Sequence, residues 1–150
     1  MIFQTAIFTR KLLSNLLDEL SLEQLNYIPK GFNNNIFWNI AHIVVTEQML
    51  SYGLSGLEID IDLDFIKRFK KGSVCKTNYS DNDIQLLKNK YFKLINNTKI
   101  LYKENGFKNF TEYPTSTNIV LKNIEDALQF NALHEGIHLG VILSIKKQLQ

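Results

Sequence analysis

Four stretches of the chain place their apolar residues at alternating steps of four and three, the spacing of a helix with one buried face. In the first, the stripe is Ile2, Ala6, Thr9, Leu13, Leu16 and Leu20, and it stops near Ser21. The next segment, SLEQLNYIPKGF, reads as a short helical turn broken by Pro29 and Gly31. A second long helix starts among Asn33, Asn34 and Asn35, whose side chains suit the cap position. Its stripe is Asn35, Trp38, His42, Val45, Met49 and Tyr52, and Gly53 ends it. The third helix opens at Ser80 with Asp83 three residues on, a variant of the capping box. Its stripe runs Ile84, Leu87, Tyr91, Leu94, Thr98 and Leu101, closed by Asn105 and Gly106. The last begins near Asn123, with Glu125 and Asp126 suited to the positive end of the helix dipole. Its stripe is Ala127, Asn131, His134, His138, Val141, Ile145 and Gln148.

Between these helices lie two long connections. Residues 54–79 have poor periodicity, an acidic patch, a basic patch and two glycines, with one short helix expected around Asp64 to Phe69. The second connection holds Phe107, Phe110, Tyr113 and Pro114, expected to pack over one end of the helices. No segment carries a comparable alternation of period two. The prediction is an all-α chain, a four-helix bundle with long crossover connections, forming a single domain over residues 1–150. The first connection is not a domain boundary, because the flanking helices need each other to bury their stripes.

The only three histidines all fall on those inner stripes: His42 on the second helix, His134 and His138 on the fourth. Residues four apart project from one helical face about 6 Å from each other, which suits two ligands of one metal ion. Three buried imidazoles without a shared partner would be costly to desolvate. His42, His134 and His138 are therefore the predicted ligands of one divalent transition metal. Three neutral ligands leave a coordination position open, the pattern of a catalytic site, although a metal clamping two helices would also stabilise the bundle. Imidazole suits zinc, nickel, iron or copper, and the residues do not choose among them.

His134-Glu135-Gly136-Ile137-His138 also matches the H-E-x-x-H motif of zinc proteases. Those enzymes take their third ligand from downstream, and LGVILSIKKQLQ contains no His, Asp or Glu. A protease is not expected, and Glu135 is placed at the pocket edge or on the helix flank.

Charge and composition narrow the remaining classes. With 17 basic and 15 acidic residues the net charge is +2, and the one basic cluster is Lys67, Arg68, Lys70 and Lys71. That balance predicts no specific nucleic-acid binding. The single Cys75 excludes an internal disulfide, and no stretch is apolar enough to suggest a membrane span. The N-terminus lacks the pattern of a secretory signal, so the expected location is cytoplasmic.

The stretch Asn34-Asn35-Ile36-Phe37-Trp38-Asn39-Ile40-Ala41-His42, with tryptophan four residues before the first ligand, resembles the DinB-like (DinB/YfiT) metalloproteins. So does His134-Glu135-Gly136-Ile137-His138-Leu139-Gly140, and the order of these pieces is the same. The resemblance extends over the chain in helix order and length. It implies a four-helix bundle with a three-histidine site, a homodimer, and a small-molecule substrate. Characterised members include thiol-dependent transferases and isomerases using mycothiol, bacillithiol or glutathione, in which the metal activates the thiol. The expected function is thus metal-dependent activation of a low-molecular-weight thiol. The alternatives are a non-catalytic metalloprotein or ligand-binding bundle and, last, a metal-dependent hydrolase. No thiol-binding signature is visible and no catalytic residue is named. The first helix carries Ile7, Leu12 and Leu17 off its stripe. It is expected at the dimer interface, with Arg10 and Lys11 at the rim, unless residues 54–79 cover it.

Overall fold

The computed structural model describes residues 2–76 and 78–149. They fold as an all-α bundle with one minor β element. Helix α1 spans Ile2–Glu19 and buries Ala6, Thr9, Leu13 and Leu16 on the expected stripe, together with Arg10 and Leu17 beside it. Leu20 follows the helix and is half-buried. A single turn, α2 (Leu22–Asn26), is held by a capping box in which Ser21 and Gln24 each satisfy the other's backbone N–H.

Helix α3 (Ile36–Gln48) is the centre of the fold. The Asn35 side chain accepts from the Trp38 N–H at 2.8 Å and so satisfies one of the donors a helix start leaves open. All its residues but Thr46 are buried, as befits a helix apolar nearly all round. It continues into a wider π turn at Met49–Gly53, where the Leu54 N–H reaches back five residues to the Met49 carbonyl. Met49 was expected on the inner stripe. It sits where the winding changes and is partly exposed.

The first connection contains α4 (Leu63–Phe69), which buries Phe65 and Phe69. Phe69 meets Phe37 and Tyr79 in a ring cluster with centroids 4.7–5.8 Å apart, pinning the connection onto α3. The expected third helix is divided. Helix α5 (Asp81–Asn89), capped by Ser80 and Asp83, gives way to a 3₁₀ turn at Tyr91–Lys93 and then to α6 (Leu94–Lys103). The inner stripe survives the break: Ile84, Leu87, Tyr91, Leu94 and Thr98 are buried. In the second connection β1 (Tyr113–Pro114) pairs antiparallel with β2 (Val120–Leu121), a ladder too short to show as a period. Its aromatics Phe107, Phe110 and Tyr113 pack on a small cluster of Leu50, Leu121, Ile124, Ala127 and Leu128, separate from the main core.

Helix α7 (Ile124–Lys146) is the longest, capped by Asn123, whose side chain accepts from the Asp126 N–H. It lies along α3 and also packs on α1. Near its C-terminal end Ile142, one residue past the expected Val141, and Ile145, on the expected stripe, are fully buried. No helix of the described residues is long and apolar enough to cross a membrane.

A candidate metal centre between two helices

The contact between α3 and α7 brings the three histidines together. Their ring centroids are 4.5–5.1 Å apart, and one nitrogen from each lies within 4.8 Å of the others. This is the only such cluster of metal-ligating side chains among the described residues. His42 is buried, while His134 and His138 are half-buried.

Outer hydrogen bonds determine which nitrogen two of the rings offer. His42 Nδ1 lies 2.6 Å from the Phe69 carbonyl oxygen, which can only accept, so Nδ1 carries the proton and Nε2 keeps its lone pair. His138 Nδ1 lies 2.8 Å from Asn39 Oδ1. The Asn39 amide nitrogen already donates to the Asn35 carbonyl at 2.7 Å, so its oxygen is left to accept. Acceptors on the outer nitrogen are the usual companions of metal-binding imidazoles. Thr46, one turn beyond His42, places its hydroxyl 3.3 Å from His42 Nε2.

Aromatic rings wall the cluster. Trp38 stacks on His42 with centroids 4.6 Å apart and planes 13° from parallel, and its indole N–H donates to the Arg68 carbonyl at 3.2 Å. Phe130 lies against His134 at 6.3 Å. In this dry setting the charged imidazolium is disfavoured. Burial lowers the pKa of His42, with the Phe69 carbonyl opposing it. Burial, the two other histidines and Arg10 push His134 down to about 3. Burial and His42 push His138 down to about 4. Three imidazoles held neutral at physiological pH are three available ligands.

Glu135 is neither at the pocket edge nor on an exposed flank. It is 1% exposed and points to α1, where Arg10 meets it at 3.0 Å. Asn131 donates to the same carboxylate at 2.9 Å. Burial raises the Glu135 pKa, opposed by Arg10 and Asn131. Arg10 therefore does not sit on a rim. A second buried carboxylate, Glu47, accepts from Gln48 and Thr98, each at 2.8 Å. Cys75 lies away from the histidines, its sulfur accepting from the Asn35 amide at 3.2 Å.

The sequence reading brought out the three histidines and Trp38, placed Asn131 on an inner stripe without a partner, put Arg10 at an interface rim, and gave no role to Asn39. The visible signal was an amide standing in an inner stripe, as Asn131 does, since a buried amide needs partners. The family model described as the DinB superfamily matches residues 6–142. No curated protein matches the chain.

Proposed function

The chain belongs to the DinB superfamily, and from that premise we propose that it binds one divalent transition metal through His42, His134 and His138 and uses the open coordination position to activate a small thiol. The observation that carries the metal reading is the convergence of three neutral imidazoles within 4.8 Å. Two of them have their outer nitrogens already committed to oxygen acceptors. The donor set fits: nitrogen ligands suit zinc, nickel or iron, and no carboxylate competes within the cluster. A metal held there supplies Lewis acidity that favours the thiolate over the thiol.

The protein's own residues do the positioning. Phe69 and Asn39 hold the His42 and His138 rings in one tautomer and orientation. Trp38 and Phe130 shield two of the imidazoles from water, which strengthens electrostatic interactions within the cluster. The thiol reading rests on family likeness, and the substrate is a small electrophile able to accept the thiolate. The alternative is a metalloprotein without catalysis.

Metal analysis of protein purified without an affinity tag should give one ion per chain. His42→Ala, His134→Ala and His138→Ala should each remove most of it. Full stoichiometry in any one of these variants would exclude that residue as a ligand. The cobalt-substituted protein, titrated with glutathione, bacillithiol and mycothiol, should develop a thiolate-to-cobalt charge-transfer band with at least one. A metal-loaded protein showing no band with any of them favours the non-catalytic reading.

A further inference from the structure

His134 lacks what the other two histidines have. His42 and His138 each turn Nδ1 to an oxygen acceptor, whereas His134 Nδ1 is shut off from solvent and has no hydrogen-bond partner. Asn131, three residues earlier and on the same face of α7, has the opposite deficit. Its Nδ2 donates to Glu135 Oε1, and because a carboxylate only accepts, that bond fixes which way the amide points. Its Oδ1 is consequently a buried acceptor without a donor. Arg10 Nη1 and Glu135 Oε2 complete the set of unpartnered atoms around the ion pair. His134 Nδ1 and Asn131 Oδ1 are thus a donor and an acceptor less than one helical turn apart, both buried and both unsatisfied, a pair that a direct hydrogen bond or one bridging water would satisfy.

The same device already operates across the cluster. Asn39 donates its amide hydrogen to the Asn35 carbonyl and presents Oδ1 to His138 Nδ1. Asn131 donates to Glu135 and presents Oδ1 on the same helix face as His134. We propose that Asn131 is the positioning residue of the third metal ligand: its Oδ1 receives the His134 Nδ1–H through at most one water, and the Arg10–Glu135 pair holds the amide in that orientation. This rests on the proposed metal site, with His134 facing the ion through Nε2. Helix α1, which supplies no ligand, thereby reaches the metal through Arg10, Glu135, Asn131 and His134. Charge balance requires both ends of the pair, since a buried carboxylate without Arg10 would be left uncompensated.

The first measurement uses the native protein loaded with zinc and labelled with ¹⁵N. The His134 Nδ1 proton should give a resolved, slowly exchanging signal like that of His138, with Nε2 as the metal-bound nitrogen. Coordination through Nδ1, or a proton exchanging as fast as that of free imidazole, overturns the proposal. The second compares zinc affinities by competition with a chelator. Asn131→Leu should bind one zinc on the order of 10–100-fold more weakly, the usual effect of losing an outer partner. Asn39→Leu is the matched control for His138. Arg10→Met and Glu135→Leu made together with Asn131→Leu, so that no unpaired charge stays buried, should weaken zinc no further than Asn131→Leu alone, because the pair acts through the amide. A lowered melting temperature with unchanged zinc affinity and an unchanged His134 signal would make Asn131 merely structural and overturn the inference. Native protein that binds no metal sinks the metal site and this inference together. Bound metal with no effect of Asn131 sinks only the latter.

Discussion

Desolvation sets the protonation of each imidazole in the cluster, and the same desolvation ties stability to pH. The folded protein lowers all three histidines from 6.5, His134 to about 3 and His138 to about 4. In the unfolded chain each returns to its ordinary value of about 6.5. As pH falls through that value the unfolded state takes up protons that the folded, metal-free protein refuses, so stability falls with pH. The contribution of the neutral rings is complete above about pH 6.5 and is lost progressively as pH drops toward 4 and then 3. Melting temperatures of the metal-free protein should therefore decline already between pH 7 and 5.5. The decline should shrink in His134→Asn. A flat profile over that window would mean the rings are not held neutral by burial. At this scale the histidine cluster was legible because histidine is rare in the chain and all three copies fall on inner stripes. Arg10 was not legible. A charge one position off a stripe reads as surface, and only the fold shows that Glu135, far away in sequence, comes to meet it.

Among the elements, α3 depends on its cap residue more than its periodicity suggests. Asn35 is fully buried and serves two elements at once. Its oxygen caps the Trp38 N–H, while its Nδ2 lies 3.3 Å from the Asn26 carbonyl and 3.2 Å from the Cys75 sulfur. Loss of a cap costs about 1 kcal/mol, and each buried group left unpaired adds about 1–3 kcal/mol. Asn35→Ala should thus destabilise by about 2–4 kcal/mol, read from urea unfolding. A loss under about 0.5 kcal/mol would show that solvent replaces the amide. Because Trp38 and His42 follow on the same helix, zinc affinity should fall alongside stability. Helix boundaries such as this were readable from the sequence, since caps are local chemistry. The π turn after Gln48 and the 3₁₀ turn at Tyr91 were not. Both keep the apolar spacing nearly intact, and only contacts outside the helix reveal the change in winding. Tyr91, whose hydroxyl donates to Asp62 at 2.5 Å, is tied to the first connection in a way periodicity does not encode.

For the whole molecule, the outstanding question is what covers the apolar side chains that the bundle leaves outside. Off-stripe residues of α1 were expected at a subunit interface, but Leu17 lies in the core and Ile7 and Leu12 are half-buried. Phe8 is the large apolar residue of α1 that remains outside, 67% exposed, and α7, on which α1 packs, leaves Leu133 and Ile137 about half exposed. Helix α4, in the connection that was to cover α1 otherwise, packs on α3. Apolar residues exposed on two adjacent helices are the raw material of an interface, and a two-fold dimer uses each of them twice. We therefore predict a homodimer in which Phe8 is buried. Burying an aromatic side chain contributes about 2 kcal/mol, so losing both copies costs about 4 kcal/mol, close to a thousandfold in dimer affinity. Light scattering at micromolar concentration should give twice the chain mass for the native protein and the monomer mass for Phe8→Glu. That variant should keep its metal, because the proposed ligands lie on α3 and α7. A native monomer at that concentration would rule out the dimer. A dimer that survives Phe8→Glu would place the interface elsewhere, and Ile137→Glu then tests whether α7 alone forms it.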